Sequence, residues 1–67
     1  MDASAIAVVI AARDEADRIG ETVRAVGEAF PGAAVVVADD GSRDATAQVA
    51  RDAGADVVRL ERSAGKG

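Results

Sequence analysis

Three short apolar runs, rich in β-branched side chains and separated by helix-patterned stretches, constrain this chain more than anything else in it. Residues 5–11 read AIAVVIA, residues 35–38 read VVVA and residues 56–60 read DVVRL. Runs of this length, bounded by polar residues, read as buried strands of a parallel sheet. Between the first two, Ile19, Val23, Val26 and Phe30 recur at spacings of four, three and four, which puts them on one helix face. Asp14, Glu15 and Asp17 lie just ahead of that face and suit the positive end of a helix dipole. Pro31-Gly32 ends the pattern. A second helix is expected over residues 45–53, with Ser42 or Asp44 as its cap and Gly54 in the left-handed position after it.

The element order is therefore βαβαβ. Parallel strands need crossover connections, and these are nearly always right-handed. The chain reads as half of an α/β sheet. Ligands of such sheets bind beyond the carboxyl ends of the strands. Three polar stretches follow the strands, at 11–15, 39–42 and 61–67, and topology alone brings them to one edge.

Composition narrows the chemistry. With 67 residues there is room for one domain at most. Alanine supplies 17 of the 33 apolar residues, so the core is poor in large side chains. No Cys or His occurs. Disulfides, His- or Cys-ligated zinc and a Ser-His-Asp triad are excluded within these residues. A net charge of −4 with no basic stripe argues against nucleic acid as a partner. No apolar run approaches the roughly 18 residues of a membrane span, and the start Met-Asp-Ala-Ser lacks the basic region of a signal peptide. The expected location is the cytoplasm, with membrane association left to segments outside these 67 residues.

Each loop carries two readings. In the turn of Asp39, Asp40, Gly41 and Ser42, the Asp40 carboxylate can accept from a base N–H or a ribose hydroxyl. Gly41 permits a positive φ and close approach of a ligand. The same four residues also make a plain turn and helix cap. After the first strand, Glu15 can contact a nucleoside or a metal-bound water, or it can merely stabilise the helix start by roughly 0.3–1 kcal/mol. Arg13 beside it is a ligand contact or a solvated charge. Lys66, between Gly65 and Gly67, suits a phosphate or a base carbonyl, or belongs to a polar tail. Neither a Walker loop nor a G-x-G-x-x-G turn is present. A nucleoside diphosphate at so acidic an edge would need a divalent cation or further basic groups to offset its charge.

Together these loops resemble the front of family 2 glycosyltransferases with the GT-A fold. The residues that carry the resemblance are VVIAARDEADRI at 8–19, VVVADDGSRDAT at 35–46 and AGADVVRLERSAGKG at 53–67. Where that family commonly has V-I-P-x-x-N-E, this chain has Ala11 for the proline and Asp14 for the asparagine. The resemblance implies a Rossmann-like βαβαβ half of the GT-A fold, cut short of the whole domain. It implies nucleoside contacts from the strand-end backbone at Ala11, from Glu15, and more loosely from Arg13. Asp40 would bind the base or ribose, Gly41 would lie against it, and Lys66 would lie near the nucleotide. The family's D-x-D motif, which binds Mn²⁺ or Mg²⁺ with the donor diphosphate, would follow Gly67, as would the catalytic base. A full-length relative would transfer a sugar from a nucleoside diphosphate sugar to an acceptor, with inversion. These 67 residues alone would supply recognition without transfer.

Three rival readings remain at this stage. One is a non-catalytic nucleotide-binding remnant. Another is a small α/β interaction module of the receiver kind, although receivers carry their acidic pair after the first strand and Asp39-Asp40 follows the second. The third is a nucleotidyltransferase, which would carry a glycine-rich loop where Ala11, Ala12, Arg13 and Asp14 stand. Open sheet edges and an uncovered apolar face also predict that the isolated chain is unstable, oligomeric or molten.

Overall fold

The computed structural model describes residues 6–60. The β-branched runs form strands and the 3.6-period stretches form helices, in the order β1 (Ala7–Ala12), α1 (Ile19–Ala29), β2 (Ala34–Asp39), α2 (Thr46–Asp52) and β3 (Asp56–Arg59). The strands make one parallel sheet in the order β1-β2-β3. Ala12, Asp39 and Arg59 stand side by side at its carboxyl end. Two crossovers of the same hand, stepping the same way across the sheet, put both helices on one face, and α1 and α2 touch each other there.

The core lies between that face and the helices. It joins Ala12 and Val37 from the strands, Ile19 and Val23 from α1, Ala50 from α2, and Ala55 ahead of β3. Val37, on the central strand, is completely buried. Half of the six core residues are alanines, so little apolar area leaves water here. Strand alternation sends Val9 and Val58 to the other face, where they are 67% and 51% exposed. Continuous apolar runs ordinarily mark strands covered on both faces; among the described residues only one face is covered. The expected result is a broad thermal transition for the isolated chain, with dye binding to exposed apolar surface. A sharp, reversible melt of a monomer in calorimetry would contradict this.

Local structure departs from the sequence pattern in three places. The first helix begins at Ile19, so Asp14, Glu15 and Asp17 are not in its first turn. The reason is a separate turn in which the Glu15 carbonyl accepts from the amides of both Arg18 and Ile19. Glu15 therefore does not serve as a first-turn acid. Phe30, expected on the buried face, is half exposed; it follows the last helical residue, beyond the part of α1 that reaches the core. Ser42 does not cap α2. Asp44 takes that part from outside the N-cap position, its Oδ1 accepting from the Thr46 amide at 2.9 Å.

The end of α2 follows expectation. Gly54 has φ +108°, its amide donates to the Arg51 carbonyl, and the Ala55 amide donates to the Ala50 carbonyl. This is the paired closure of a Schellman motif. A Cβ at Gly54 would meet nothing within 4 Å, so the cost of adding one is conformational only. Gly54→Ala is expected to destabilise the chain by about 1–2 kcal/mol, read as a lower urea midpoint.

Candidate functional site at the carboxyl edge of the sheet

The loops after β1 and β2 meet at the carboxyl edge, joined by the Asp40 amide donating to the Ala12 carbonyl at 2.9 Å. Beside this bond is a cavity of about 250 Å³ lined by Ala11, Ala12, Arg13, Glu15 and Asp40. Thus Ala11, Arg13, Glu15 and Asp40, singled out by sequence, come together. Gly41 follows Asp40 with φ +71°, the left-handed backbone that a glycine accepts without a Cβ penalty. Lys66 lies outside the described residues.

The two neighbouring aspartates do different work. Asp39 is completely buried, and its Oδ1 accepts from the Ser42 amide at 3.0 Å, closing the turn. Its Oδ2 has no hydrogen-bond partner. The compensating charge is Arg59, whose Nε lies 3.9 Å away, an ion pair without a hydrogen bond. The Arg59 guanidinium also donates to the Ser42 carbonyl at 3.3 Å. Asp40, one residue on, is half-buried and faces the cavity. Alternation along the strand end thus buries one carboxylate under the helices and places the next on the cavity.

Four hydrogen bonds from backbone amides to side-chain oxygens lace the first loop to the second and to the start of α2. The Asp14 amide donates to Ser42 Oγ at 2.8 Å, the Glu15 amide to Thr46 Oγ1 at 2.8 Å, and the Ala16 amide to Asp44 Oδ2 at 3.2 Å. In return the Arg43 amide donates to Asp14 Oδ1 at 2.7 Å. Asp14 has φ +52°, unusual outside glycine but tolerated by Asp and Asn. The bonds to its amide and from its carboxylate hold that conformation. The Thr46 hydroxyl, completely buried, donates to Asp44 Oδ1.

Sequence reasoning missed Thr46 and Arg59. The bonds to Thr46 and to Asp44 span 31 and 28 residues, and no local pattern announces them. For Arg59 there was a signal: it is a cation that follows two valines at the end of one strand, while the run before the preceding turn leads into two acids.

Hydrogen bonds, first from the Thr46 hydroxyl and then from the amides of Thr46 and Ala16, hold the Asp44 carboxyl below its usual 3.8, against the opposing effect of burial. A depressed folded value means that the loop lacing is intact above the ordinary carboxylate range and lost as pH falls through the lower folded value. Hydrogen-exchange protection of the Ala16 and Thr46 amides is therefore expected to persist unchanged from pH 7 to about pH 4. It should fall only in stronger acid.

The divalent cation that the resemblance implies has no ligand set among the described residues. No group of three His, Cys, Asp or Glu able to hold a metal occurs among the described residues. Glu15 and Asp40 are two carboxylates on one cavity, short of such a set.

Three parallel strands joined by two helices, with a cavity beyond their carboxyl ends, define a Rossmann-like α/β unit of the kind that forms half of a GT-A fold. The chain belongs to glycosyl transferase family 2, whose profile matches residues 7–67. It is similar to the crystal structure of a mycobacterial protein, with a TM-score of 0.73 and 37% identity over 85% of this chain. The chain spans only 21% of that protein's length. No curated protein matches. No helix among the described residues is long and apolar enough to cross a membrane.

Proposed function

We propose that the carboxyl-edge cavity binds the nucleoside part of a nucleotide-sugar donor. The observation that carries this reading is the convergence of Arg13, Glu15 and Asp40 on one cavity, in a chain of a glycosyltransferase family. The Asp40 carboxylate accepts from a base N–H or a ribose hydroxyl, and Glu15 offers a second acceptor across the cavity. Arg13 supplies a donor to a base carbonyl or a phosphate. The positive φ at Gly41 keeps side-chain bulk away from the ligand beside Asp40. A volume of about 250 Å³ is below the roughly 300–1,000 Å³ of pockets for drug-sized ligands. It suits the nucleoside part of the donor, with the diphosphate and sugar extending outward.

In a longer relative this recognition would serve sugar transfer to an acceptor, in the cytoplasm, with the metal and the catalytic base held by other residues. The present residues bind and orient the donor. Calorimetric titration with UDP, GDP and their sugars, with and without Mn²⁺, tests the reading. Saturable binding to one base in preference to the other supports it. Equal, non-saturating heats for both would remove it.

A further inference from the structure

Three consecutive backbone amides of the first loop, at residues 14, 15 and 16, are all taken up by side chains of the second loop and of α2, namely Ser42, Thr46 and Asp44. These amides are therefore not available to a ligand, although a chain turning into a helix usually offers such groups. They are used to fix where one wall of the cavity stands. Glu15 and Arg13 belong to the first loop, and Asp40 belongs to the second. The two loops are joined next to the cavity by the bond between the Asp40 amide and the Ala12 carbonyl. Further along the first loop, among the described residues, they are joined through side chains.

We propose that Asp44 and Thr46 are positioning residues of the donor pocket, setting the distance between Glu15 and Asp40 through their grip on the backbone of residues 15 and 16. The inference rests on the nucleoside-binding reading. Asp44 divides its two oxygens between the loops: Oδ1 takes the amide and hydroxyl of Thr46, and Oδ2 takes the Ala16 amide. Thr46 Oγ1 is both donor and acceptor, passing the pull of that carboxylate on to the Glu15 amide. Neither residue belongs to the apolar core cluster, and neither lines the cavity. Their effect on a ligand must pass through the loop they hold.

The test compares the unaltered chain with Thr46→Val, Thr46→Ser and Asp44→Ala. Two quantities are read: hydrogen exchange at the amides of Glu15, Ala16 and Asp40, and affinity for UDP and GDP. Thr46→Val keeps the side-chain shape and removes the hydroxyl. Faster exchange at Glu15, unchanged exchange at Asp40 and an affinity lower by about tenfold are expected. Thr46→Ser, which restores the hydroxyl, should return both readouts to within about twofold of the unaltered chain. Asp44→Ala, at an exposed site, should free Ala16 and weaken binding likewise, and it carries the test if Thr46→Val disturbs packing. Faster exchange with unchanged affinity would overturn the positioning role while leaving the nucleoside site standing. Absence of binding in the unaltered chain would instead overturn the nucleoside reading, and the inference with it.

Discussion

Val37→Asp is expected to unfold the chain. Val37 is completely buried on the central strand, between Ile10 and Val57 in register. A carboxylate there has no partner, and an unpaired buried charge costs several kcal/mol even after relaxation. Small domains have little stability to lose, about 5 kcal/mol at the low end of the usual range. Val9→Asp is the matched control: it makes the same chemical change one position along from Ile10, on the uncovered face. Its effect should stay within about 0.5 kcal/mol, as for ordinary surface substitutions. Far-ultraviolet circular dichroism with urea titration separates the two. Equal effects would mean that the helices do not cover the face on which Val37 lies.

The second large effect is on binding. Asp40→Asn keeps the side-chain size and one acceptor oxygen but removes the charge. Hydrogen bonds to a charged group contribute about 1.5–3 kcal/mol, so nucleotide affinity should fall by about 10- to 150-fold. The neighbouring carboxylate supplies the contrast. Asp39 is buried beneath the helices, closes the turn through Ser42 and is paired with Arg59. Asp39→Asn should therefore act on stability and leave the affinity of the folded fraction within about threefold. A larger loss of affinity from Asp39→Asn than from Asp40→Asn would reverse the assignment of the two acids.

The strands and helices were legible because their signals are local. Three β-branched runs and a 3.6-residue period name five elements and a parallel βαβαβ unit, but right-handed crossovers allow more than one spatial order, and the order β1-β2-β3 is known from the structure alone. Gly54 was legible for the same reason, since a helix end needs a residue that accepts positive φ. The cavity was legible in outline: loops after parallel strands share an edge, and Ala11 at the end of the first strand and Arg13, Glu15 and Asp40 in the loops all lie there. Less legible was the boundary of α1. The acids at 14, 15 and 17 suit a helix start, but the lacing to the second loop engages residues 14–16 and delays the helix to Ile19. Phe30 fits the apolar period and yet lies beyond the core, because periodicity gives a face and not the extent of what covers it. The tertiary bonds of Thr46 and Arg59 depend on residues brought near by folding, which spacing along the chain does not encode.

On the proposed function, one cavity at the carboxyl ends of β1 and β2 receives the nucleoside. Mapping backbone amide shifts by NMR during titration with UDP and GDP tests it most directly. Shifts are expected to cluster at residues 11–15 and at Asp40 and Gly41, with β3 and the exposed face of α1 unmoved. A dispersed spectrum in which these amides stay still at saturating nucleotide, or in which the shifts gather elsewhere, would contradict it.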